Sequence, residues 1–98
     1  MIIQEILAQL ENTVNPIVKI LQRGDQFKVI AMGFKKGMIL KEHKTPIPAK
    51  LVVIDGNVLY RQGEESIALN KFDEHEIPVN IIHSVEALHD SICILIQG

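Results

Sequence analysis

Apolar positions along this chain recur with two different periods. Ile3, Ile6, Leu7 and Leu10 return at helical spacing, with Gln4, Glu5, Gln9 and Glu11 between them. That spacing predicts a short amphipathic helix within residues 1–12. Asn15-Pro16 ends it, because the residue before a proline is disfavoured in helical geometry. From residue 17 onward the apolar runs shorten to strand length. Ile17 to Leu21, the alternating stretch QFKVIAM (26–32), Leu51 to Ile54, Val58 to Tyr60, Ser66 to Leu69, Ile81 to Leu88 and Ser91 to Ile96 read as strands. Arg23-Gly24-Asp25, Lys35-Lys36-Gly37, Asp55-Gly56-Asn57, the run 62–65 and His89-Asp90 read as turns. The polar segment 70–76 is predicted to be a loop, with Ile77-Pro78 re-entering the barrel. Pro46 and Pro48 force extended backbone on Thr45 and Ile47 and remove two sheet donors, so this segment belongs at an edge or a bulge. Many short strands separated by turns predict an all-β antiparallel barrel or sandwich behind a short helix.

Composition narrows the picture. The 98 residues predict a single domain (1–98), with the helix in 1–12 and the barrel in 17–97. Sixteen Ile and eight Val favour strands, since β-branched side chains fit a pleated, half-buried surface. The formal charge is −2 and no block of like charge occurs. Nucleic acid as a partner is therefore excluded, because phosphate binding needs a concentrated basic face. Cys93 is the only cysteine, so no intramolecular disulfide forms; within SICILI it reads as a small buried hydrophobe. The apolar N-terminal run is too short to span a membrane and lacks the features of a secretory signal. The expectation is a cytoplasmic protein with no membrane partner.

Strand parity gives the sharpest chemical inference. From residue 43 the odd positions are His43, Thr45, Ile47, Ala49, Leu51 and Val53; the even ones include Lys44 and Lys50. Side chains alternate between faces, and a lysine face is the wet one, so His43 and Thr45 face inward. The same count groups His83 with Val85 and Ala87, opposite Ser84 and Glu86. Both histidines thus point into the barrel, provided that no bulge at the prolines changes the phase. His75, in KFDEHE, reads as solvated, and His89 as part of a turn. Glu86 faces outward, and the side taken by Tyr60 is undetermined. No Ser-His-Asp set and no glycine-rich phosphate loop can be assembled from the six scattered glycines.

These residues resemble the cupin superfamily, and within it the small single-domain members. Gly37, five residues and His43 match the start of the first cupin motif, and Gly56 matches its closing glycine. Thr45 stands where that motif has its second histidine, and Ala49 where it has its glutamate. In the second motif Pro78 and His83 match, while Phe72 and Asn80 stand at the two glycines; Asn can adopt the left-handed turn that glycine supplies. The resemblance covers about residues 18–96. It implies a double-stranded β-helix, or jelly-roll barrel, that forms homodimers. It also implies a divalent metal (Fe, Mn, Ni or Zn), of whose ligands only His43 and His83 stand at their positions. Glu42, His75 or Glu86 would have to supply a third. The preferred expectation is a barrel that binds a small molecule through His43, Thr45 and His83 without strong catalysis. A metal-dependent oxygenase or isomerase acting on a small polar substrate is the alternative, and a structural or regulatory dimerisation module is the third.

Overall fold

A computed structural model describes residues 1–98. One helix, α1 (Ile2–Leu10), precedes nine strands. They are β1 (Ile17–Arg23), β2 (Lys28–Phe34), β3 (Ile39–His43), β4 (Ala49–Asp55), β5 (Asn57–Gln62), β6 (Glu65–Asn70), β7 (Glu74–Ile77), β8 (His83–Ala87) and β9 (Ser91–Gln97). A five-stranded sheet has the order β1-β2-β9-β4-β7 and a four-stranded sheet the order β3-β8-β5-β6. Every pairing is antiparallel. Strands distant in sequence lie side by side, so the chain passes repeatedly between the sheets. This is the jelly-roll arrangement expected, preceded by one short helix.

Alternation along the strands decides what fills the barrel. Ala49, Leu51 and Val53 of β4, Ile30, Met32 and Phe34 of β2, and Cys93 of β9 form the inner face of the larger sheet. Val58 and Tyr60 of β5, Leu69 of β6, and Val85 and Ala87 of β8 meet them from the smaller one. Each large apolar side chain fully removed from water contributes roughly 1.5–3 kcal/mol, so this contact dominates stability. The opposite face of the larger sheet is also apolar: Ala31 and Ile92 are buried under Ile6 and Leu10 of α1. The helix finds its partner within its own chain. Gly33 marks their closest approach, since a Cβ there would lie 2.3 Å from Cγ2 of Ile6.

Three expectations about the elements are corrected. The loop predicted over 70–76 shrinks to a turn, because β6 runs to Asn70 and β7 begins at Glu74, pairing Leu51 with His75. The strand predicted over 81–88 spans only His83 to Ala87. Residues 44–48 form no strand, and the bulge lies before them. Leu40 pairs with Val85 and His43 with His83, so Lys41 and Glu42 together oppose Ser84. Because the extra residue precedes His43, the parity downstream survives, and Ala49, Leu51 and Val53 are buried.

The turn between β6 and β7 carries the strain of the fold. Phe72 has φ 74°, a left-handed conformation that costs an L-residue roughly 1–2 kcal/mol. Its amide donates to the Val53 carbonyl at 2.7 Å, and the Val53 amide donates to the Asp73 carbonyl at 3.0 Å. The Asp73 carboxylate accepts the Asn70 amide at 2.7 Å, closing the turn. The Phe72 ring is exposed, with the Lys71 ammonium 5.2 Å from its centroid. Replacing Phe72 by Gly is therefore expected to stabilise the protein by roughly 0.5–1 kcal/mol, after allowing for glycine's greater freedom in the unfolded chain. Urea unfolding at unchanged m-value checks this; a lower midpoint would show that the ring contributes more than the strain costs.

Candidate functional site

β3 and β8 are neighbours in the smaller sheet, and the register after the bulge sets His43 directly opposite His83. Their rings meet edge to face, with centroids 4.3 Å apart. His83 is buried and His43 exposed, so the pair lies at the mouth of the barrel. Each imidazole is held in the same way. Nδ1 of His43 donates to the Lys41 carbonyl at 2.7 Å, and Nδ1 of His83 to the Ile81 carbonyl at 3.0 Å. A carbonyl can only accept, so Nδ1 must carry the proton in both rings. In the neutral form each Nε2 then presents a lone pair.

Burial pushes the His83 imidazole below its ordinary value; its bond to the Ile81 carbonyl pulls the other way, and the neighbouring His43 adds to the lowering. The ring is thus a neutral acceptor at pH 7. Beyond it stands Tyr60, which is buried and stacked on His83 with centroids 5.7 Å apart. His75 of β7, paired with Leu51, also packs on Tyr60, with ring centroids 4.4 Å apart. The Tyr60 hydroxyl donates to Oε1 of Gln62 at 2.8 Å, and burial raises its pKa. Rings from β7, β5, β8 and β3 thus stand in successive contact, His75 with Tyr60, Tyr60 with His83 and His83 with His43.

Thr45, the third residue expected in the pocket, is half-buried. Its hydroxyl accepts the Ile47 amide at 3.2 Å, and its carbonyl accepts the Asn80 amide at 2.8 Å. It therefore fastens the two mouth segments, 44–48 and 78–82, to each other. Asn80 takes φ 59°, the left-handed turn expected of it. Ile47, Val79, Ile81 and Ile82 on these segments are exposed and form an apolar rim. None of the four principal clefts is walled by His43, Thr45 or His83. The barrel is filled by side chains, so the site is an open mouth and not an interior chamber.

His75 corrects the reading of a solvated loop residue: it is half-buried on a strand and stacked against Tyr60. The signal was available, since His75 and Ile77 share a face and Ile77 is strongly apolar. Tyr60 and Gln62 could likewise have been paired with Val58 by alternation. Glu86 pairs outside the barrel with Arg61, Oε1 to Nη1 at 2.8 Å. His89 contacts the Asn57 side chain, and its carbonyl accepts the Ser91 hydroxyl at 2.7 Å, as turn chemistry. Burial pushes the Cys93 thiol up to about 12, which keeps it unreactive.

No group of three or more His, Cys, Asp or Glu side chains converges anywhere on the chain. Thr45 and Ala49 offer no good ligand at the other motif positions, and the ring contact of His75 is with Tyr60. A catalytic metal centre requires about three protein ligands, and the residues present do not fit one.

No protein-family model matches the sequence, and no curated protein is significantly similar to it. Solved structures are similar in fold. A cupin superfamily protein from Desulfitobacterium hafniense superposes with a TM-score of 0.79 at 16% identity, over 85% of this chain and 76% of its own. KdgF from Halomonas sp. gives 0.79 at 20% identity, over 88% and 81%. A putative ethanolamine utilization protein Q from Salmonella typhimurium gives 0.75 at 12% identity, over 84% and 68%. The fold is that of the cupins. Identities this low speak for architecture alone, and one fold serves many chemistries.

The lowered pKa of His83 has a consequence for stability. Below pH 6.5 the unfolded chain takes up a proton that the folded chain resists, so stability falls as pH drops toward the folded value. The drop in urea midpoint between pH 7 and pH 5 should be smaller in His83→Gln than in the parent. An identical drop would show that His83 titrates normally.

Proposed function

We propose that this barrel binds a small molecule at its mouth, held by the Nε2 atoms of His43 and His83, without strong catalysis. The observation that carries this reading is the matched anchoring of the two imidazoles. Each is fixed by a backbone carbonyl two residues earlier, and each is left with one acceptor at an open position. Two adjacent Nε2 acceptors recognise a ligand that donates hydrogen bonds. The apolar rim of Ile47, Val79, Ile81 and Ile82 suits an apolar body beside that donating end. The site holds no nucleophile and no cation aimed at the pair, which favours binding over bond cleavage. The buried single cysteine suits a reducing, cytoplasmic setting.

A fragment screen of small neutral hydrogen-bond donors, followed by amide chemical shifts, tests the proposal. Binders should move His43, His83 and residues 44–48 and 78–82. His83→Ala should weaken them about tenfold, the usual cost of losing one buried acceptor. A screen that moves nothing at the mouth would reject the proposal. Elemental analysis of protein purified without chelator separates the alternative. Near-stoichiometric metal, lost in both His43→Ala and His83→Ala, would replace this reading with a metal-dependent one.

A further inference from the structure

The outer face of the smaller sheet carries a second, independent constellation. Alternation sends Ser84 and Glu86 of β8 and Leu59 and Arg61 of β5 outward, and the register sets Arg61 beside Ser84. The bulge in β3 places Lys41 and Glu42 together on the other side of Ser84. These residues wall a groove of about 610 Å³, completed by Ile39 and Gly63. An ordinary outward sheet face is flat. Here the doubled residue of the bulge and the long Arg61 side chain form two banks with Ser84 at the bottom.

Three donor groups meet in this groove, two without a partner and one, Arg61, with N–H groups to spare. Ser84 is only 7% exposed, yet its hydroxyl bonds no other group of the chain and opens onto the groove. Arg61 gives Nη1 to Glu86 and keeps its remaining N–H groups free. Lys41 joins none of the ion pairs of the chain. A hydroxyl, the free edge of a guanidinium and an ammonium on three adjacent strands match the lone pairs of an oxyanion. Lys41 and Arg61 are balanced by Glu42 and by Glu86, the partner of Arg61, so Lys41 is left as the one cation of the groove in no ion pair. That balance accommodates one negative charge and opposes more.

We propose that this groove is a binding site for a singly charged oxyanion, a carboxylate or a phosphoryl diester, separate from the histidine mouth. Amide shifts of the intact protein, titrated with sodium acetate and separately with sodium dimethyl phosphate, test it against sodium chloride at equal ionic strength. Saturable shifts at Lys41, Arg61 and Ser84, absent with chloride, are expected. Acetate alone would assign a carboxylate ligand, and dimethyl phosphate alone a phosphoryl one. Arg61→Gln should weaken binding about tenfold or more, as loss of a charge-assisted bond does. Because Arg61→Gln also releases Glu86, Lys41→Gln serves as the second variant: it breaks no contact within the chain and should weaken binding several-fold. Shifts that match chloride, fail to saturate, or survive both substitutions would overturn the proposal.

Discussion

The packing of one sheet's inner face against the other's is the constraint from which the rest of this structure follows. Leu51, Val53 and Cys93 meet Val58, Tyr60 and Val85, and that contact fixes the phase of every strand. Shifting β4, β5 or β8 by one residue would turn its apolar set away from the core and bring residues such as Lys50, Arg61 or Glu86 into it. The histidines are inward because Ala49, Leu51 and Val53 follow one of them, and Val85 and Ala87 the other. Their placement is a by-product of the core and needs no local device except the bulge. That bulge lets both Leu40 and His43 face inward although three positions separate them, and it sends Lys41 and Glu42 outward together. One extra residue therefore shapes the mouth on one side of the sheet and the groove on the other.

The site's chemistry rests on what the histidines lack as much as on what they have. With a carboxylate beside them they would be held as cations or would serve as a base–acid pair. With a third imidazole they would make a metal centre. Instead each ring gives its Nδ1 proton to a backbone carbonyl and faces the other ring, and burial favours the uncharged form of His83. Such a pair accepts hydrogen bonds and does little else. Tyr60 supports it from behind, and its own hydroxyl is engaged by Gln62.

Much of the fold was legible in the sequence because period and punctuation agreed. The change from helical to strand spacing at Pro16, the glycine turns and the wealth of Ile and Val all pointed to a small barrel behind one helix. Motif spacing carried the resemblance further, and Asn80 adopts the left-handed turn that a motif glycine would supply. What stayed hidden depended on pairing. The strand over 74–77 looked like loop because acidic residues flank His75; only its ladder to β4 shows that one side of that polar run is covered. The bulge was sought at the prolines, where backbone donors are missing, but it formed at Lys41-Glu42, where the cross-strand partner is one residue short. Whether the mouth would be a chamber or an opening could not be read at all, because it depends on how completely Tyr60, Phe34 and Leu51 fill the barrel.

The claim at the centre of this account is that His43 and His83 both carry a proton on Nδ1 at pH 7 and that His83 is neutral. Long-range proton–nitrogen correlation of the imidazole rings in uniformly ¹⁵N-labelled protein reads that state directly. The account predicts a protonated Nδ1 in both rings and an unprotonated, acceptor-type Nε2 in His83. A proton on Nε2 in place of Nδ1, or two protonated nitrogens in His83 at that pH, would contradict it and remove the acceptor pair on which the binding proposal stands.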